Sequence, residues 1–246
     1  MGPFDWSAIT ANIIVLSITI GVATLPVFGL LAYFRYRDKG EREPRKLRRK
    51  IFWWGIAVTL AAATIEGLVE FNVYDFFNGQ PPLLYHMLMP FLLVALTEES
   101  LKFWVVKKFA FNHKKFNEIM DGITYCIIAS MGFAILENIV YTLQYGWQTG
   151  VMRAFTAVPA HALFSGIMGH YMGIAKFTKD PILAKKLMRR GLIAGIFFHG
   201  LYDFLLMSGV VVLALMVFPL LAYMWTILNR SIRSSNGHSK ETIKYI

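Results

Sequence analysis

The sequence predicts an all-α polytopic membrane protein of about seven transmembrane helices. Three observations carry that reading. The 246 residues are 56% hydrophobic and 16% charged, with a mean hydropathy of +0.50, far more apolar than a soluble domain. Apolar stretches of about 20 residues recur along the chain, long enough to cross a ~30 Å hydrocarbon core as helices. The basic residues gather in clusters between those stretches rather than scattering over them. No alternating pattern of a membrane barrel is present.

The spans fall near residues 12–34, 51–73, 84–106, 119–143, 153–175, 191–207 and 209–228. The first has no basic leader and no small-residue cleavage site before Arg35, so it reads as an uncleaved anchor. Asn78-Gly79-Gln80-Pro81-Pro82 marks the turn between the second and third, and Ser208-Gly209 a very short one between the sixth and seventh. Pro26, Pro90, Pro159 and Pro219 lie in or near spans, where neighbouring helices tolerate them. The lone cysteine, Cys126, reads as a small buried hydrophobe. Together these make residues 1–246 a single transmembrane domain.

The formal charge of +10 does not point to nucleic acid, because 23 of the 25 Lys and Arg lie at 35–50, 107–115, 176–190 and 230–244. All four clusters fall on one side of a seven-span chain. The positive-inside rule makes that side cytoplasmic, with the N-terminus outside and the C-terminus inside. The basic tail could also bind anionic lipid. The expected location is a prokaryotic plasma membrane, with the lipid bilayer and a membrane-anchored protein as partners.

Against this apolar background, ionisable groups inside spans stand out, since they usually mark a pathway, a relay or a catalytic site. They are Glu66, Glu70, Glu98, Glu99, Glu137, His161, His170, His199 and Asp203. Counting from the span edges puts Glu98, Glu99 and His199 roughly 12–14 Å from the inner surface, and Glu137 and His161 roughly 16–18 Å. Four helices thus bring acids or imidazoles to nearly one level. Ala157, His161, Ser165, Gly169 and Gly173 recur every four residues, as do Gly191, Gly195, His199 and Asp203. Two such stripes on antiparallel helices would pack closely through their small residues and set His161 and Ser165 opposite His199 and Asp203.

Local spacing suggests roles. Lys102 follows Glu98 and Glu99 at four and three positions and can neutralise one of them. Two carboxylates in a low dielectric do not both ionise easily, which leaves an acid beside a base. Asn138 offers Glu137 an uncharged partner. His199 and Asp203 can share a metal, or one can orient the other. His86, His113 and His238 read as solvated and His170 as structural. Glu66 and Glu70 read as interfacial anchors paired with Arg153. There is no H-E-x-x-H, G-x-S-x-G, Walker A or cysteine-rich metal motif.

Glu98-Glu99-Ser-Leu-Lys102, Gly132-Phe-Ala-Ile-Leu-Glu137-Asn138, His161 through Gly173, and His199-Gly-Leu-Tyr-Asp203 occur in that order on four successive spans, over about 84–207. This ordered set resembles the PrsW family of intramembrane proteases and, more distantly, the CAAX prenyl endopeptidases and bacteriocin-processing enzymes. Two departures separate it from the distant group. The basic residue comes one position sooner, at Lys102, and the Phe133 motif ends in Glu137 rather than histidine. The resemblance implies hydrolysis of a peptide bond in or near the membrane, with an anti-sigma factor as the kind of substrate and 84–207 as the catalytic core.

Two mechanisms fit these residues. In the first, which requires no cofactor, Glu98 or Glu99 deprotonates a water that His161 or Glu137 orients, while His199, held by Asp203, binds the oxyanion. In the second, His161, His199 and one of Glu98, Glu99 and Glu137 hold Zn²⁺. The first is preferred. A transporter with a midplane proton relay suits the same groups on physics alone, though no inverted repeat supports it. A non-catalytic membrane scaffold is a third class.

Overall fold

The structure is a computed structural model that describes residues 6–237, with side chains described for 17–236. His238, Lys240 and Lys244 lie outside the described residues. Every element among the described residues is helical. The order is α1 (Trp6–Arg37), α2 (Arg45–Phe76), α3 (Leu83–Met89), a π-helical segment (Pro90–Ala95), α4 (Leu96–Phe109), α5 (Ile119–Tyr145), α6 (Trp147–Phe155), α7 (Ala157–Phe177), α8 (Pro181–Met207), α9 (Val211–Leu215) and α10 (Val217–Gly237). Among the described residues six stretches are long and apolar enough to cross a membrane: Ser17–Arg37, Arg45–Phe76, Ile119–Tyr145, Trp147–Phe177, Pro181–Met207 and Val211–Asn236. The unbroken rod formed by α3, the π segment and α4 is the seventh, as the hydropathy predicts. The basic loops lie at one end of the bundle and the turns at 77–82, Gly146 and 208–210 at the other.

Helix α5 is the axis. In its apolar stretch 94% of residues are buried, against 22% for the stretch in α1 and 17% for that in α9–α10, so the outer helices face lipid. Small residues let its neighbours approach. A Cβ on Gly132 of α5 would lie 2.1 Å from the Phe52 carbonyl oxygen of α2, and one on Gly169 of α7 would lie 2.3 Å from that of Gly122. Backbones at such separation exclude any side chain, as in other close membrane crossings. Its start is fixed by a capping box between Glu118 and Asp121.

This geometry corrects the stripe expectation for α7 and bears it out for α8. Gly169 and Gly173 abut α5, not α8, while Gly191 and Gly195 abut Met168 and Glu99. A four-residue repeat advances about 400°, so it turns about 40° per step. Over His161 to Gly173 the stripe drifts about 120° and passes from one neighbour to another. The helices also begin earlier than hydropathy predicts, α2 at Arg45 and α8 at Pro181. Asp180 caps α8 by accepting from the Ile182 N–H at 2.8 Å, with Pro181 in the first turn. Their basic turns continue the helix past the hydrocarbon, where water solvates the side chains.

Pro90 opens the π segment, which presses Phe91 against Gly200 of α8; a Cβ there would lie 2.4 Å from the ring. Cys126 is buried with its Sγ 3.6 Å from the Met172 Sδ, as expected of a small hydrophobe.

Candidate active site

Helix α4 starts where the π segment ends, and its first turns carry Glu98, Glu99 and Lys102. Lys102 is fully buried and spends all three donors. Its Nζ lies 2.9 Å from Glu98 Oε2, 2.8 Å from Glu99 Oε1 and 3.1 Å from His161 Nδ1 on α7. The ammonium also sits 4.1 Å from the centre of the Phe133 ring on α5. Helical spacing supplies the first two contacts. The third ties α4 to α7.

The two glutamates diverge. Glu98 lines a cavity of about 990 Å³. Glu99 is fully buried and turns to α8 and α7, with Oε1 3.0 Å from His199 Nδ1 and Oε2 accepting from Ser165 Oγ at 3.3 Å. The other nitrogen of His199, Nε2, lies 3.2 Å from Asp203 Oδ2 and 3.8 Å from Glu98 Oε2. Phe164 stacks on the His199 ring at 4.8 Å. The His161 and His199 rings are 5.5 Å apart, so the expected meeting of the two helices at this level occurs although the α7 glycines face α5.

On the α5 side, His161 Nε2 lies 2.7 Å from Glu137 Oε2. Arg153 of α6 pairs with Glu137 Oε1 at 3.0 Å, and its Nε donates to Asn138 Oδ1 at 3.0 Å. Asn138 in turn donates to the Ala23 carbonyl of α1 at 2.8 Å. Asn138 therefore holds Arg153 rather than Glu137 itself.

Arg153 was expected to pair with Glu66 and Glu70. The pairing with Glu137 replaces that reading, because the kink between α6 and α7 at Thr156 folds Arg153 over the cavity. Glu66 is no interfacial anchor either: it lines the cavity, and its Oε1 is buried without a hydrogen-bond partner. His170 lies away from the cluster, with Nδ1 3.3 Å from Ser235 Oγ, in keeping with a structural role.

Counter-charges bound the chemistry available here. Glu98, Glu99, Glu137 and Asp203 contribute four negative charges, Lys102 and Arg153 two positive ones. With neutral imidazoles the cluster sums to −2, which one divalent cation would balance and a proton on His199, flanked by carboxylates at both nitrogens, would halve. Two groups of side chains could hold such an ion: Glu98, Glu99 and His199, or Glu98, Glu137 and His161, each with its ligand atoms within 4.8 Å of one another.

A family model described as PrsW family intramembrane metalloprotease matches residues 43–227. Protease PrsW of Geobacillus kaustophilus strain HTA426 is 34% identical over 229 residues, covering 91% of this chain and 93% of that one. Protease PrsW of Bacillus subtilis strain 168 is 33% identical, covering 77% and 82%. Protease PrsW of Clostridioides difficile strain 630 is 28% identical, covering 89% and 92%. No solved structure matches the chain.

Proposed function

The chain belongs to the PrsW family of intramembrane proteases, and from that premise we propose that it cuts a membrane-anchored protein with a water activated by Glu98. The observation that carries this choice is the divergence of the two glutamates. Glu98 reaches the cavity, whereas Glu99 is enclosed between Lys102, Ser165 and His199. A base must touch the water it deprotonates, and Glu98 is positioned to do so.

The scissile carbonyl enters the cavity beside Glu98. Glu98 takes a proton from water as the oxygen attacks the carbonyl carbon. As charge develops on the carbonyl oxygen, the His199 Nε2–H shifts from Asp203 to the oxyanion, while Nδ1 stays held by Glu99. The proton on Glu98 then passes to the leaving amine as the C–N bond breaks, giving a carboxylic acid and an amine and returning Glu98 to its carboxylate. The Glu137–His161 pair, fixed by Arg153, orients the water. Lys102 holds Glu98 in place through the 2.9 Å ion pair. We assign the catalytic core to 84–207, with α2 completing the cavity wall. An anti-sigma factor is the substrate class in view.

The family's description as a metalloprotease, together with the −2 cluster, favours a second reading. Glu98, Glu137 and His161 would hold a Zn²⁺ ion, which when bound polarises a carbonyl and acidifies water. The hydrogen bonding of His161 weighs towards the first reading. Lys102, having only protons to give, donates to Nδ1, so Nε2 carries the hydrogen directed at Glu137. His161 would have to give up that bond to ligate an ion.

The test is cleavage of a single-span anti-sigma substrate by purified enzyme in liposomes. Glu98→Gln is expected to stay folded and lose cleavage; normal cleavage would overturn the assignment. Activity that survives exhaustive chelation, in protein shown by elemental analysis to be metal-free, supports the first reading. Activity lost on chelation and restored by Zn²⁺ establishes the second.

A further inference from the structure

At the basic end of the bundle, away from the catalytic cavity, α1 and α2 diverge around a cleft of about 850 Å³ whose back wall includes Ile128 of α5. Two helical stripes face it. On α1, Phe28, Leu31, Ala32 and Arg35 follow the i, i+3, i+4, i+7 spacing of one helix face. On α2, Arg45, Arg48, Arg49 and Phe52 follow the same spacing in the opposite sense. The chain runs towards the basic end along α1 and away from it along α2. Each stripe therefore sets its apolar side chains deep and its guanidiniums at the rim, about 10 Å higher. Phe28 and Phe52 stack across the floor, with ring centres 6.4 Å apart.

The rim is unusual in its charge. Arg42, on the strap between the two helices, also lines it, which brings the guanidiniums to five. Among the described residues none of the five forms an ion pair or a side-chain hydrogen bond, although Asp38, Glu41 and Glu43 line the same cleft; Glu41 pairs with Lys115 at 3.3 Å. Asp38 instead accepts from the Gly40 N–H and from Thr124 Oγ1. Burial and the neighbouring Asp38 carboxylate push Glu43 up to about 8, so near neutrality it does little to cancel the arginines.

We propose that this cleft binds an anionic glycerophospholipid of the adjoining leaflet, its phosphate among Arg35, Arg45, Arg48 and Arg49 and one acyl chain along Phe28 and Phe52. Guanidinium forks suit phosphate oxygens, and the apolar floor lies where a chain leaves the headgroup. A zwitterionic lipid brings its own ammonium to the rim and is disfavoured. A free phosphate would use the rim alone.

Full-length protein in a mild detergent, titrated with dioleoyl phosphatidylglycerol and followed by native mass spectrometry, tests this. The expected result is one tightly retained lipid, with dioleoyl phosphatidylcholine at least about 10-fold weaker. Arg45→Gln/Arg48→Gln/Arg49→Gln is expected to weaken retention on the order of 100-fold, at about tenfold or less per arginine. Lys185→Gln/Lys186→Gln/Arg189→Gln removes the same charge from exposed positions on α8 and is expected to leave retention unchanged. Unfolding curves in lipid-free detergent check folding. Should the triple variant unfold, Arg35→Gln/Arg49→Gln, one exposed residue from each helix, takes its place with an expected loss of about 10-fold or more. Equal loss in the α8 control, or equal retention of the two lipids, overturns the proposal. So does displacement of the lipid by millimolar inorganic phosphate, which would make the site one for a small anion.

Discussion

The catalytic cavity and the α1–α2 cleft both gather charge, and they settle it in opposite ways. In the cavity each of the carboxylates of Glu98, Glu99, Glu137 and Asp203 lies within 3.2 Å of a cation or an imidazole. In the cleft five guanidiniums have no such partner among the described residues. Depth accounts for the difference. Uncompensated charge in hydrocarbon costs several kcal/mol, so the protein must supply the counter-charge itself. At the headgroup level water and lipid can supply it. Glu66, with one buried oxygen unpartnered, is the cavity's exception and marks where its pairing is incomplete.

Changes that keep the shape of the cluster but remove the proposed base cut deepest. Glu98→Gln keeps shape, and proteolysis is expected to fall about 10²–10⁴-fold with little change in thermal unfolding. Lys102→Met attacks the pairing itself. It leaves the buried Glu98 and Glu99 without their shared cation, and we expect a loss of about 3–5 kcal/mol in unfolding titrations, beyond any loss of activity. A variant as stable as the parent would mean that the cavity is wetter than its burial implies. Gly132→Ala probes the packing beneath both regions, since α2 lines both. Forcing it from α5 is expected to cost about 1–3 kcal/mol.

The smallest effect belongs to the cleft. Glu43 is held near 8 in the folded protein against an ordinary 4.5. Folding therefore favours its protonated form: its stability is full below about 4.5 and declines as pH rises towards about 8. Glu43→Gln removes that slope. The variant is expected to match the parent at pH 4 and to melt higher at pH 8, and a constant difference across this range would contradict the sign.

How much of this could be read in the chain follows the same division between local and distant pairing. Lys102 with Glu98 and Glu99, and His199 with Asp203, are one helical turn apart, so spacing alone reveals them. The seven spans follow from hydropathy. The Arg153–Glu137 pair does not, because it depends on the bend between α6 and α7 and on Asn138 as an intermediate. Nor does the choice between Glu98 and Glu99, which depends on how α4 is rotated as it leaves the π segment. The α7 glycines reach α5 instead of α8 because a four-residue repeat drifts around its helix. The early start of α8 was legible in Asp180-Pro181, a cap signal that a hydropathy reading alone passes over. The transporter reading is not favoured, since the matched relatives are proteases.

The π segment has a consequence for how this enzyme can change. An α-helix closes each hydrogen-bonded turn over four residues, and a π turn closes it over five, so 90–95 carries surplus chain. That surplus lets Phe91 face Gly200 while Glu98 faces the cavity, two orientations that an unbroken α-helix would couple. Deleting one residue there would let the rod relax into regular helix and swing one half by about 100° relative to the other. Chain length at this joint, more than the identity of its side chains, aims Glu98, the proposed base. Lineages and libraries should therefore accept apolar exchanges at Leu92 or Leu93 far more readily than a single missing codon.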